Sequence, residues 1–92
     1  MAQFTVTQEA SLQQTNLWQG EVEYKGEKFQ YRYYDDWDGQ EVYVLTELGW
    51  ERGQELGDVI YAMCNDWGCT PEEFGEVGQV CEIEDELVEE YK

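Results

Sequence analysis

The chain has 92 residues, with 22 Asp and Glu against 5 Lys and Arg, for a formal net charge of −17 at pH 7. A field of that size repels DNA, RNA and anionic membranes and attracts basic partners, so direct nucleic-acid and membrane binding are excluded. Aromatic residues nevertheless make up 15% of the sequence, enough area-rich side chains for one core without disulfides, and residues 1–92 read as a single acidic domain.

Residues 1–17 carry the weakest pattern. "QFTVT" alternates and can add an edge strand, while "EASLQQTN" is compatible with a short helix or a loop.

From Trp18 to Leu48 apolar and polar residues alternate with a period of two, the signature of half-buried strands. Trp18, Val22 and Tyr24 point one way, and Gln19, Glu21 and Glu23 the other. A turn at Lys25 and Gly26 would set Val22 opposite Phe29, Gly20 opposite Tyr31, Trp18 opposite Tyr33 and Glu23 opposite Lys28. Asp38-Gly39 is a favoured two-residue turn, and it would place Tyr33 opposite Val44, Tyr31 opposite Thr46 and Phe29 opposite Leu48 on the same apolar face. An EF-hand calcium loop is excluded at this turn by spacing, which leaves weak adventitious cation binding by Asp35, Asp36 and Asp38 open. With Gly39 at the sixth position of an EF-hand loop, Tyr34 would be first and Leu45 twelfth, where carboxylates are required.

"QELGDVIYAMCNDWG" switches to helical spacing, with Leu56, Val59, Ile60, Met63, Cys64 and Trp67 forming one stripe. Gly57 weakens its first turn, and Gly68 is placed to end it. Thr70, Pro71 and Glu73 have the spacing of a capping box, and the segment after it reads as one bent helix or two short ones, with Phe74, Val77, Cys81, Val88 and Tyr91 continuing one face across Gly75, Gly78 and Glu84. A helix-turn-helix on DNA is ruled out because the second helix would begin Pro71-Glu72-Glu73 with no basic residue before Lys92. The expected fold is α+β, a three- to four-stranded antiparallel meander with two or three C-terminal helices on one face.

Chemistry is scarce. There is no His, no phosphate-cradling Gly-rich loop followed by Lys, and no Ser in a nucleophile elbow. Cys64, Cys69 and Cys81 are odd in number and lack a C-x-x-C pair, so they read as core thiols of a reducing cytoplasm, and neither metal nor cofactor is expected. "MAQFTVTQEA" lacks the pattern of a signal peptide, and no run is long enough to cross a bilayer, which also points to the cytoplasm. We expect no catalysis.

What remains is charge on a scaffold. Between Arg52 and Lys92 there is no Lys or Arg, while twelve Asp and Glu fall in that span. Helical carboxylates four residues apart repeat about every 6 Å, close to the separation of successive phosphates on a nucleic-acid strand. Glu82, Glu86, Glu89 and Glu90 would form such a row, with Glu72 and Glu76 prolonging it. Asp35, Asp36, Asp38 and Glu41 would form a second patch, beside which Trp37 is either an interface anchor or a core residue.

In size, charge and aromatic content the chain resembles small acidic inhibitors made by phages and mobile elements, including some anti-CRISPR and anti-restriction proteins. The resemblance implies a phosphate-backbone mimic that occupies the basic groove of a nucleic-acid-processing protein. An acidic adaptor or assembly protein with an unrelated partner is the alternative, favoured by any aromatic sheet face left uncovered. Salt adaptation is a third explanation, opposed by the excess of Glu over Asp and by the concentration of charge in one half.

Overall fold

The computed structural model describes every residue from Met1 to Lys92. Six strands form one antiparallel sheet: β1 (Ala2–Gln14), β2 (Leu17–Tyr24), β3 (Glu27–Asp36), β4 (Gly39–Thr46), β5 (Gly49–Glu51) and β6 (Val80–Ile83), in the order β5-β4-β3-β2-β1-β6. The first five are a meander. Helix α1 (Glu55–Trp67) and a 3-10 turn (Pro71–Phe74) follow, then β6 returns to pair with the start of β1 and helix α2 (Asp85–Tyr91) follows it. The fold is α+β, with six strands rather than three or four and with two helices, the second only two turns long.

The β2–β3 hairpin has the register its spacing predicts, with Val22 opposite Phe29, Gly20 opposite Tyr31, Trp18 opposite Tyr33 and Glu23 opposite Lys28. Lys25 and Gly26 both take positive φ, 52° and 83°, so their turn twists with the strands. Gly20 has a separate reason to be glycine. A Cβ there would lie 2.7 Å from the hydroxyl oxygen of Tyr31, whose ring is buried in the core.

The β3–β4 hairpin departs from the predicted register by two residues. Tyr33 faces Val42 and Tyr31 faces Val44, because the turn is made by Trp37 and Asp38 rather than by Asp38 and Gly39. The backbone N–H of Asp38 donates to Asp36 Oδ1 at 2.9 Å, and this local bond stabilises the earlier turn. A shift of two preserves which side each residue faces. The predicted buried face therefore survives the register error, except at Leu48, which lies in the β4–β5 turn and is 85% exposed.

The N-terminal segment is more ordered than its sequence suggested. β1 runs through "EASLQQ", and its first residues lie between β2 and β6 instead of at an edge. Beyond Val6 its pairing with β2 is broken by bulges.

Both helices cover one face of the sheet. Phe4, Val22, Tyr31, Tyr33 and Val44 meet Val59, Ile60 and Met63 in a core whose members are almost fully shielded. Trp67, the last residue of the α1 stripe, stays 43% exposed but sets its ring edge-on to Phe74 at 6.2 Å. Gly68 closes α1 in the left-handed conformation, and its N–H donates to the Cys64 carbonyl.

The capping box at Thr70 and Glu73 does not form. No side-chain bond caps Thr70, and the segment makes a single 3-10 turn that ends at Gly75. Beyond it, Cys81 and Ile83 are buried by strand alternation, while Val77 is exposed, so the predicted helical face does not exist there. Cys64 and Cys81 are buried, Cys69 is half-buried, and none is in a disulfide. No helix is long and apolar enough to cross a membrane.

Candidate partner-binding surface

The β3–β4 tip concentrates one predicted patch. Asp36, Trp37 and Asp38 are exposed and Asp35 is half-buried, its Oδ1 accepting a 3.5 Å hydrogen bond from Gln40 Nε2. Trp37 is 93% exposed, so it is not a core residue. No cation lies within ion-pair distance of the three aspartates. Beside them a shallow cleft of about 270 Å³ is lined by Tyr34, Asp36, Asp38, Gly39, Gln40, Glu41 and Tyr43.

The second patch is not the continuous helical row its spacing predicted. Glu86, Glu89 and Glu90 do share α2, but Glu82 lies on β6, where it alternates with the buried Cys81 and Ile83. Glu72 lies in the 3-10 turn and accepts a 3.1 Å hydrogen bond from Trp18 Nε1; Glu76 is in the loop that follows. The segment turns from helix to strand because β6 completes the sheet against β1, a pairing with residues far away in sequence.

The two patches lie at opposite ends of the sheet. The tip adjoins the β1–β2 turn, with the Asp35 N–H donating to the Asn16 carbonyl at 3.0 Å. α2 follows Ile83, which pairs with Ala2 near the β2–β3 turn. Glu72 belongs with the tip end, because its partner Trp18 pairs with Tyr33 and their rings stand 6.0 Å apart.

Few of these carboxylates are neutralised within the molecule. The ion pairs are Lys25 with Glu55, Arg52 with Glu41, Lys92 with Glu89 and the Met1 amine with Asp85. All are exposed and therefore weak. Glu55 is held below the usual carboxylate range, first by the Lys25 ammonium and then by the Tyr24 hydroxyl. The His, Cys, Asp and Glu side chains form no group of three or more placed to hold a metal ion.

A third surface was overlooked in the sequence. The face of the sheet opposite the helices carries Arg32, Tyr34, Tyr43, Leu45 and Trp50, and no element covers it. Tyr34 and Tyr43 pack edge to face at 5.5 Å, and the Arg32 guanidinium lies 4.2 Å from the centre of the Trp50 ring. Arg32 Nε donates to Gln19 Oε1 at 3.2 Å, yet no carboxylate pairs with Arg32 anywhere in this acidic chain. Leu17 is buried but stands outside the main core, and its register puts it opposite Tyr34 on this face. The signal was legible: Tyr34, Tyr43 and Leu45 occupy the positions between the core residues Tyr31, Tyr33, Val42 and Val44.

Comparison with protein families, with curated proteins and with solved structures returns no match.

Proposed function

We propose that the protein is a non-catalytic acidic inhibitor or decoy, a phosphate-backbone mimic that occupies a basic groove of a nucleic-acid-processing protein. One observation carries this reading: Trp37 projects 93% exposed from the β3–β4 hairpin, between Asp36 and Asp38, which have no internal cation. An exposed Trp beside uncompensated charge has the composition of an interface anchor, with the ring supplying buried area and the carboxylates steering association. Glu86, Glu89 and Glu90 on α2 supply a second, purely electrostatic contact, with Glu82 beside it on β6. Glu72 and Glu76 add charge along the helical side.

The test is capture of partners on the immobilised protein at low and high salt, followed by affinity measurement with and without competing DNA or RNA. Wild type should compete with nucleic acid for its partner. Trp37→Ala should weaken binding at least about tenfold, while reversing Glu86, Glu89 and Glu90 to Lys should slow association and reduce its salt dependence. Binding unaffected by either change, or a partner that holds nucleic acid and this protein together, would refute the mimic. The uncovered aromatic face favours a second reading, an acidic adaptor or assembly subunit whose partner is unrelated to nucleic acid.

A further inference from the structure

We infer that the uncovered sheet face is the contact surface between two copies of this chain. The inference goes beyond the mimic reading and does not depend on it.

Charge selects the occupant. Two copies of a chain with net charge −17 repel wherever their acidic surfaces meet, and the uncovered face is the one where cations gather: Lys28, Arg32 and Arg52 stand there among Glu21, Glu23, Asp36, Glu41 and Glu82. Arg32 lies on it with no carboxylate partner, and Lys28 lies opposite Glu23. Arg52 pairs with Glu41 beside Tyr43, and Glu21 accepts only the Thr7 hydroxyl. The face therefore carries both signs and is self-complementary: under a two-fold axis the free guanidinium of one copy can meet a carboxylate of the other. Nucleic acid would also suit an aromatic and Arg-bearing sheet, but the field of the whole chain repels it.

The apolar content and the size agree with a second copy. Tyr34, Tyr43, Leu45 and Trp50 form a stripe across β3, β4 and β5, and aromatic residues of this kind dominate dimer cores. Six strands about 4.8 Å apart span about 25 Å. Within a molecule measuring 30 × 27 × 25 Å, such a face projects on the order of 600 Å², close to the roughly 800 Å² that one partner buries in a stable complex. Packing two such sheets face to face would leave both helical layers and both Trp37 tips outward.

Sedimentation velocity over a concentration series tests this. We expect a species of twice the 10.9 kDa chain mass, strengthened on going from low salt to about 0.2 M as screening weakens the repulsion between copies. Leu45→Lys and Arg32→Glu, each checked for a native melting profile, should raise the dimer dissociation constant at least about tenfold. Trp37→Ala should leave it unchanged. Ser11→Pro, held to the same melting check, controls for strand addition along the stretch of β1 that pairs with β2 on one edge and with nothing on the other. A monomer at every concentration and salt would overturn the proposal, as would a dimer broken by Ser11→Pro but not by the folded Leu45→Lys and Arg32→Glu variants.

Discussion

The two sides of the sheet solve different problems with the same alternating strands. On the inner side Tyr31, Tyr33, Val42 and Val44 are sealed under α1, and residues 53–91, without one Lys or Arg, supply carboxylates from the two helices and the 3-10 turn, with Glu82 of β6 alone turned to the outer face. On the outer side the residues between them, Arg32, Tyr34, Tyr43 and Leu45, are left uncovered, and the cations Lys28, Arg32 and Arg52 gather there. The cations are therefore segregated, while carboxylates stand on both sides, the outer one carrying Glu21, Glu23, Asp36, Glu41 and Glu82.

The comparison is broken most directly by placing one charge on each side. Ile60 is 0% exposed, and Ile60→Asp should cost more than about 4 kcal/mol and leave no cooperative melt, because it buries an unpaired carboxylate. Gln30→Lys on the open side, opposite Glu21, should change stability by no more than about 0.5 kcal/mol. Thermal denaturation followed by circular dichroism decides. Similar losses from the two changes would mean that the outer face is also a core.

Two glycines sharpen the contrast in packing. Gly20→Ala should cost about 1–3 kcal/mol, since the new Cβ would meet the buried Tyr31 ring at 2.7–3.1 Å. Gly57→Ala should be neutral or stabilise by up to about 1 kcal/mol, because its Cβ would sit at ordinary contact distance, 3.6 Å, from the Val42 carbonyl oxygen. Urea unfolding of the two variants should give shifts of opposite sign or, at the least, a clear gap between them.

The smallest expected effect is a pH dependence confined to the sealed side. Burial pushes the Cys81 thiol up to about 11, above the value of about 8.5 for an unfolded cysteine. The fold therefore favours the protonated thiol: its contribution is fully present below about pH 8.5 and is lost as pH rises towards 11. Urea midpoints between pH 7.5 and pH 10.5 should fall, and Cys81→Ala should flatten part of that slope. Tyr31 and Tyr33, also pushed up by burial, add to the fall at its upper end.

The buried face was legible because strand alternation tolerates an error of two residues, as the β3–β4 turn demonstrates. Local pattern failed where long-range pairing decided the outcome. "QEASLQQ" has neither β-branched residues nor alternation, and it is a strand because β2 lies beside it. "VCEI" is only four residues in a Glu-rich stretch and was read as part of a helical stripe, yet it pairs with Ala2–Thr5. Gly75 and Gly78, both at positive φ, were the available warning.

The candidate surface divided in the same way. Asp35, Asp36, Trp37 and Asp38 are adjacent in sequence and stay together. Glu72 and Glu82 were separated from the α2 carboxylates by the turn and the strand that hold them.

The return of β6 to β1 also bears on how the chain reaches this state. The hairpins from β1 to β5 close over short loops, whereas the β1–β6 ladder joins segments on the order of 75 residues apart, whose closure entropy must be met before any pairing rewards it. During synthesis β1 emerges before β2 and acquires it early. Its other edge then stays open, with Phe4 and Val6 unshielded by their C-terminal neighbours, until β6, on the order of 75 residues later, has left the ribosome. That interval is when the protein is most exposed to strand-by-strand misassociation, and like-charge repulsion between nascent chains acts against it throughout.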